Sequence, residues 1–287
     1  MITYEDLYKS PAQTFTGYEY GNETDQVSFE SLKQLYSDSS YQDSWMDGGK
    51  DIPDEVDFSW HVQENQMRQG SCQGHMLTSC LEGCFWIDTK GQTPVQLSRN
   101  AAYRFSQIED GISGDQGSTL SGGVTAAKKG IPLEDFFPYT ETYSRRIPKS
   151  AYENRKDFRL ALAVPIEKTK PSKQVVDWIG KGKGFCGIGI KWTSEMDNQS
   201  TVRRYTGRGR GGGHAVCFLG YSLSRNTLKL VNSWGYGWGN NGVKEVSFEA
   251  FDSMMRHGWN MGYLYSDLVD IEVTRDVPDF SIIKDVV

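Results

Sequence analysis

The chain has 287 residues, a formal charge of −6, 24% charged and 13% aromatic side chains, enough to bury one sizeable core or two packed halves. The charge is uneven: residues 1–50 carry nine acidic side chains against three lysines, so the remaining residues balance to zero. That acidic arm on a neutral body excludes nucleic acid as the main partner, and no apolar run approaches the 18 residues that would cross a membrane.

In chain order, residues 1–50 are polar and weakly periodic, with one short amphipathic helix expected over Ser28–Tyr36. The start Met1–Asp6 has no basic and no apolar stretch of the kind that opens a secretory signal, so none is expected. Gly48-Gly49 followed by Ile52-Pro53 marks a boundary. From Cys72 to Trp86, the residues Met76, Leu77, Cys80, Leu81, Cys84 and Phe85 recur with helical spacing and predict a buried amphipathic helix. Helices are also expected over Ser98–Gln107 and Leu120–Lys129, the latter stopped by Gly130 with Pro132 beyond. After about residue 160 the pattern turns to strands at 187–190, 215–221, 228–231 and 243–248. Helices first and strands second give an α+β protein with two unlike halves. Five cysteines, an odd set without a metal-type CxxC pair, are read as free thiols of a reducing compartment, and no metal or cofactor is called for.

The chemistry concentrates in Gly213-His214-Ala215-Val216 and Val231-Asn232-Ser233-Trp234-Gly235-Tyr236-Gly237-Trp238-Gly239. A histidine opens one apolar strand and a side-chain amide ends the next, and an amide-held imidazole needs a nucleophile to serve. Either piece alone is ordinary, since such a histidine is usually structural and Asn-Ser-Trp-Gly usually a turn. A thiolate nucleophile belongs at a helix N-terminus, where the macrodipole favours it. Asn65-Gln66-Met67-Arg68-Gln69-Gly70-Ser71-Cys72-Gln73-Gly74-His75 offers two registers. With Gln69 as the reference glutamine, the nucleophile's place six residues on is taken by His75 and the protein is inert. With Gln66 it is taken by Cys72, directly after Gly70-Ser71, and Glu82-Gly83 falls ten and eleven residues beyond. The second register fits better, and His75 becomes a packing or locally hydrogen-bonded residue.

In these motifs the chain resembles the papain-like cysteine peptidase family, in the manner of a divergent microbial or viral member. The likeness runs from Ile52-Pro53-Asp54-Glu55-Val56-Asp57 to about residue 270, with His214 standing 142 residues after Cys72. It departs from the family's pattern at Gln73 (an aromatic there), at Gln69 (a disulfide cysteine in secreted members) and at Gly213 (an acid or amide).

The resemblance implies a helical left half (51–160) that carries the nucleophile and a barrel-like antiparallel β right half (161–266) that carries His and Asn, with the site in the cleft between them. Residues 51–61 would cross to the right half, residues 1–50 form an arm or propeptide-like segment, and 267–287 a tail. It implies Cys72, His214 and Asn232 as catalytic, and Gln66 with the Cys72 N–H as oxyanion donors. Trp234 would shield the His–Asn bond, Trp238 would support the primed side, and Gly117 and Gly213 would border the substrate.

The expected activity is peptide-bond hydrolysis through an acyl-enzyme, on a polypeptide substrate and in a cytoplasmic or virion-associated setting. The alternatives are a catalytically silent scaffold, for instance in a virion, and a cysteine amidase on cell-wall peptide. The arm would either inhibit or dock a protein partner. The run Arg203–Gly213 is expected to be a mobile loop bordering the cleft rather than an RNA-binding tract.

Overall fold

The computed structural model describes residues 52–59, 64–88 and 95–268; the acidic arm, the helix expected at Ser28–Tyr36 and the tail beyond 268 lie outside them. The helical half is built on α1 (Cys72–Asp88), α2 (Arg99–Asp110) and α3 (Leu120–Lys129). Each start has a local cause. Ser98 and Thr119 sit in extended backbone and their hydroxyls accept from the N–H groups of Ala101 and Gly122, satisfying donors that the first turn leaves open. Gly130, at φ 105, ends α3 where a side chain would be strained. A short helix, α4 (Lys149–Glu153), leads out of this half.

Helix α1 is buried on nearly its whole circumference from Cys72 to Cys84. That is the pattern of a central helix rather than of a surface one. One side packs on α2, closely enough that a Cβ at Gly74 would stand 2.9 Å from the Arg99 carbonyl oxygen. The other packs on the sheet, where Cys80, Cys84, Cys186 and Cys217 are all buried free thiols. Burial and neighbouring thiols hold Cys80 and Cys186 well above the usual range, so both are inert.

The sheet comprises β1 (Glu55–Asp57), β2 (Leu160–Pro165), β3 (Gly184–Thr193), β4 (Thr201–Val202), β5 (Gly211–Ser222), β6 (Thr227–Val231), β7 (Val243–Ser247) and β8 (Met261–Leu268). The order is β2-β8-β3-β5-β6-β7-β4, with β1 on β5. Every pairing is antiparallel except β4 on β7. The architecture is the expected α+β one, but the sheet is open: its end strands β2 and β4 do not pair, so the barrel does not close among the described residues. Helices α5 (Pro171–Gly180) and α7 (Phe248–Arg256) pack on each other beside the sheet, and α6 (Ser194–Asp197) follows β3. The strand expected to reach Phe248 stops at Ser247, whose hydroxyl instead accepts from the Ala250 N–H and starts α7. Because α1 touches β3, β5 and β8 as well as α2, one continuous core joins both halves.

No helix among the described residues is long and apolar enough to cross a membrane.

Candidate active site

Three segments converge at the N-terminal end of α1. The loop Gln66–Ser71 brings the chain to Cys72, which is the first residue of the helix. Met67 adopts a left-handed conformation (φ 52) there, held by its N–H bond to Asn65 Oδ1 at 2.9 Å. The Gly70 N–H donates to Asp115 Oδ1 at 2.8 Å, which fixes the loop from the α2–α3 side. Strand β5 delivers His214 as its fourth residue, and Asn232 follows the last residue of β6. Cys217 opposes Val231 across those two strands, so the register puts Asn232 on the same face as His214 and two positions along from it.

The geometry is specific. Cys72 Sγ accepts from the Ala215 N–H at 3.4 Å, which places the thiol against the strand carrying His214. His214 Nε2 lies 2.8 Å from Asn232 Oδ1, and the same oxygen accepts from the Ser233 N–H at 2.8 Å. His214 Nδ1 is buried without a hydrogen-bond partner. An imidazole whose Nε2–H is held by an amide oxygen keeps its lone pair on Nδ1, the form that can take a proton from a thiol. Burial pulls His214 down to about 4, opposed by the bond to Asn232. Cys72 and His214 are both 0% exposed.

Gln66 is stitched to the same place. Its N–H donates to the Ser233 carbonyl at 2.8 Å, its Oε1 accepts from Ser233 Oγ at 2.7 Å, and its Nε2 donates to the Gln69 carbonyl at 2.9 Å. With Asn65 bridged to Trp234 and the Gly235 N–H on the Glu64 carbonyl, residues 64–66 form a short antiparallel seam with 233–235. Gln69 points elsewhere: its amide donates to the Thr140 carbonyl and, at 3.5 Å, to Asn100 Oδ1. The register that sequence reasoning preferred is therefore the one that brings glutamine, thiol, imidazole and amide together. His75, one turn further, faces away from the thiol toward Glu64 and the ring of Tyr139.

Trp234 stacks on His214 at 4.6 Å between ring centres, and Trp238 packs edge-on against Trp234 at 6.1 Å. Sequence reasoning had singled out both. It did not find Trp192, whose ring meets His214 edge-on at 4.8 Å and touches both other indoles. Asp197 fixes this cluster by accepting from the Trp192 and Trp238 indole N–H groups at 3.1 and 3.2 Å. An aromatic opposite a glycine-rich strand was the only available signal, and strand pairing decides it: Trp192 faces Gly212.

Two expectations change. Gly117 uses its N–H on Tyr103 Oη at 3.0 Å and its carbonyl on Gln107 Nε2 at 2.9 Å, so the pair expected to face substrate serves the loop instead. The loop before β5 is pinned rather than mobile. Glu195 accepts from the Thr206 N–H and hydroxyl, each at 2.8 Å, and Lys191 Nζ donates to the carbonyls of Gly207 and Gly209 at 3.0 and 2.9 Å. Gly213, opposite Lys191, is buried at the edge of this arrangement. No group of three metal-ligating side chains occurs among the described residues.

A family model described as papain family cysteine protease matches residues 52–254, well over half of the chain. The chain belongs to the papain family of cysteine proteases. Among solved structures it is similar to xylellain, a cysteine protease from Xylella fastidiosa, with a TM-score of 0.68 at 18% identity over 91% of this chain and 99% of that one. It is also similar to digestive procathepsin L 3 of Tenebrio molitor larval midgut (TM-score 0.61, 18% identity, 77% and 72% covered). A third is a Carica candamarcensis cysteine protease in complex with E-64 (TM-score 0.59, 18% identity, 75% and 99% covered). No curated protein sequence matches the chain significantly. At these identities the structural likeness speaks for the fold, while the family assignment rests on the sequence match.

Proposed function

We propose that this papain-family chain is a cysteine endopeptidase acting through Cys72 and His214. The observation that supports it most is the meeting, at the N-terminus of one buried helix, of the Cys72 thiol with the strand that holds His214 on Asn232. The thiol gives its proton to His214 Nδ1, and the thiolate attacks the peptide carbonyl carbon. Gln66 Nε2 and the Cys72 N–H bind the resulting oxyanion. The carbon–nitrogen bond breaks as the imidazolium protonates the leaving amine, and water then hydrolyses the thioester with His214 as base. Burial alone favours neutral imidazole, whereas a thiolate alongside favours imidazolium, so each stabilises the charged form of the other.

One observation favours a second reading, a catalytically silent scaffold: both reacting side chains are fully buried, so peptide reaches them only if the chain above the pair moves. An electrophilic peptide of the E-64 type separates the two. Labelling that is lost in Cys72→Ala and kept in His75→Ala supports the peptidase. Absence of labelling in the folded full-length protein and in a form lacking residues 1–50 supports the scaffold. A large rise in labelling on that deletion identifies the acidic arm as inhibitory, and loss of a protein partner without a rise identifies it as a docking segment.

The substrates we assign to this site carry acidic residues. Arg203, Arg204, Arg208 and Arg210 are exposed on the pinned loop, and no carboxylate pairs with any of them among the described residues. These four guanidinium groups, on the segment that leads into the strand of His214, raise the local concentration of anionic peptide. Replacing Arg208 and Arg210 by alanine should lower kcat/KM for acidic peptides several-fold, more at low salt, and leave neutral peptides unchanged; equal effects on both would remove the assignment.

A further inference from the structure

Behind the His214–Asn232 pair, between α1 and the sheet, lies a small cavity whose walls include Glu64, His75, Ser79, Val231 and Asn232. Polar atoms without a hydrogen-bond partner meet on both of its sides. His75 enters from α1 and Glu64 from the segment before it; His75 Nδ1 and Glu64 Oε2 face each other at 3.3 Å, and His75 Nε2 is left without a hydrogen-bond partner. From the strand side comes Asn232 Nδ2. His75 and Asn232 are each 2% exposed, so bulk water does not satisfy them. Unpartnered buried donors and acceptors are costly, and a polar cavity with two to four such groups is where proteins hold an ordered water.

We propose that this cavity is a buried water site through which Glu64 and His75 position the Asn232 amide. The water accepts from Asn232 Nδ2–H and donates to Glu64 Oε2, with the His75 ring closing the third side. The consequence follows from the amide's own asymmetry. Asn232 can present either Oδ1 or Nδ2 to His214, and only Oδ1 accepts the Nε2–H and leaves Nδ1 its lone pair. An acceptor behind Nδ2 makes the turned-over amide cost two hydrogen bonds, so the productive tautomer of His214 is fixed from behind. Glu64 is itself fixed, because its Oε1 lies 2.5 Å from Arg99 Nη2. His75 is thereby a positioning residue that acts through water on Asn232, and it touches neither substrate nor thiol.

The inference rests on the reading of His214 and Asn232 as the general base and its support, and its tests separate the two. In a crystal structure of the full chain with ordered solvent, a water should lie within hydrogen-bond distance of Asn232 Nδ2 and Glu64 Oε2. A cavity without water, or one filled by a side chain, overturns the proposal whether or not the protein cleaves peptide. In kinetics, His75→Phe, which keeps an aromatic ring against Tyr139, should lower kcat roughly tenfold with KM unchanged, the scale of one lost buried hydrogen bond. His75→Gln, which restores a polar group at the cavity, should recover most of that loss. If His75→Phe does not fold, Ser79→Val, which narrows the same cavity from the next turn, replaces it with the same expected split. Unchanged kcat in a folded variant overturns the proposal. Absence of activity in the wild type itself falsifies the peptidase reading and leaves the water and the amide orientation to be read directly.

Discussion

Exchanging Cys72 for alanine should reduce kcat/KM by at least about 10⁴-fold without changing the melting temperature by more than a degree or two. The nucleophile carries the covalent step, and removing one member of such a site costs nearly as much as removing all of it. The shape change is one sulfur atom at a helix start, so the fold has little to lose. The glutamines give the sharper comparison. Gln66→Ala should cost about 10²–10³-fold in kcat, the scale of one oxyanion donor. Gln69→Ala should leave kcat within a few-fold and lower stability instead, because its buried amide ties the loop to Asn100 and Thr140. Peptide hydrolysis and thermal melts of the three variants, measured side by side, decide the register. A Gln69 variant that loses kcat while Gln66→Ala keeps it would sink the assignment of Cys72 as nucleophile.

That register was open to sequence reasoning because it depends on local spacing. Gly-Ser before the thiol and Asn-Gln six residues back are fixed by how the chain turns into α1, and no partner segment has to be known. The strands Ala215–Tyr221 and Leu228–Val231 were found for a similar reason, since each is a short apolar run bounded by turn residues. What stayed hidden is what pairs across the sequence. Trp192 and Asp197 belong to the site only because β3 runs antiparallel to β5. Strands β1, β2 and β8 carry weak period-two patterns and exist through their partners. Polar bolts misled the reading of the arginine-glycine run. Its composition suggests mobility, but Glu195 and Lys191, both distant in pattern, engage its backbone. His75 was legible as a residue off the catalytic path, and its cavity was not, because the opposite wall comes from β6 and Asn232.

Replacing Arg99 by methionine should be the most destabilising single change in the helical half, by about 3–5 kcal/mol, a large share of the stability of a typical domain. Arg99 is 1% exposed and holds Glu82 through two contacts at 2.8 and 2.9 Å, while also reaching Glu64 and the Leu97 carbonyl, each at 2.5 Å. Burial alone pulls its own titration down, but the carboxylates of Glu64, Glu82 and Glu134 outweigh that and hold it above its ordinary value. Methionine fills comparable space and strands the carboxylates among themselves.

The two acids that Arg99 touches respond differently. Glu64 is held below the usual carboxylate range despite its burial, by Arg99 and His75, whereas burial and the Glu64 charge raise Glu82 to about 8. A carboxyl raised in the fold from 4.5 binds more protons folded than unfolded, so its contribution is full below pH about 4.5 and is lost as pH rises through about 8. Glu82→Gln should therefore flatten the decline in stability between those limits, and it should rescue part of the Arg99→Met loss by removing one of the stranded acids. Denaturant melts of the wild type, Arg99→Met, Glu82→Gln and the double variant at pH 5 and pH 8 test both statements. Additive effects of the two substitutions would mean that Arg99 and Glu82 do not act as a unit. Because Glu64 belongs to the same cluster and also walls the cavity behind Asn232, loss of Arg99 should lower kcat as well as stability. Arg99 thereby reaches the candidate site through one carboxylate.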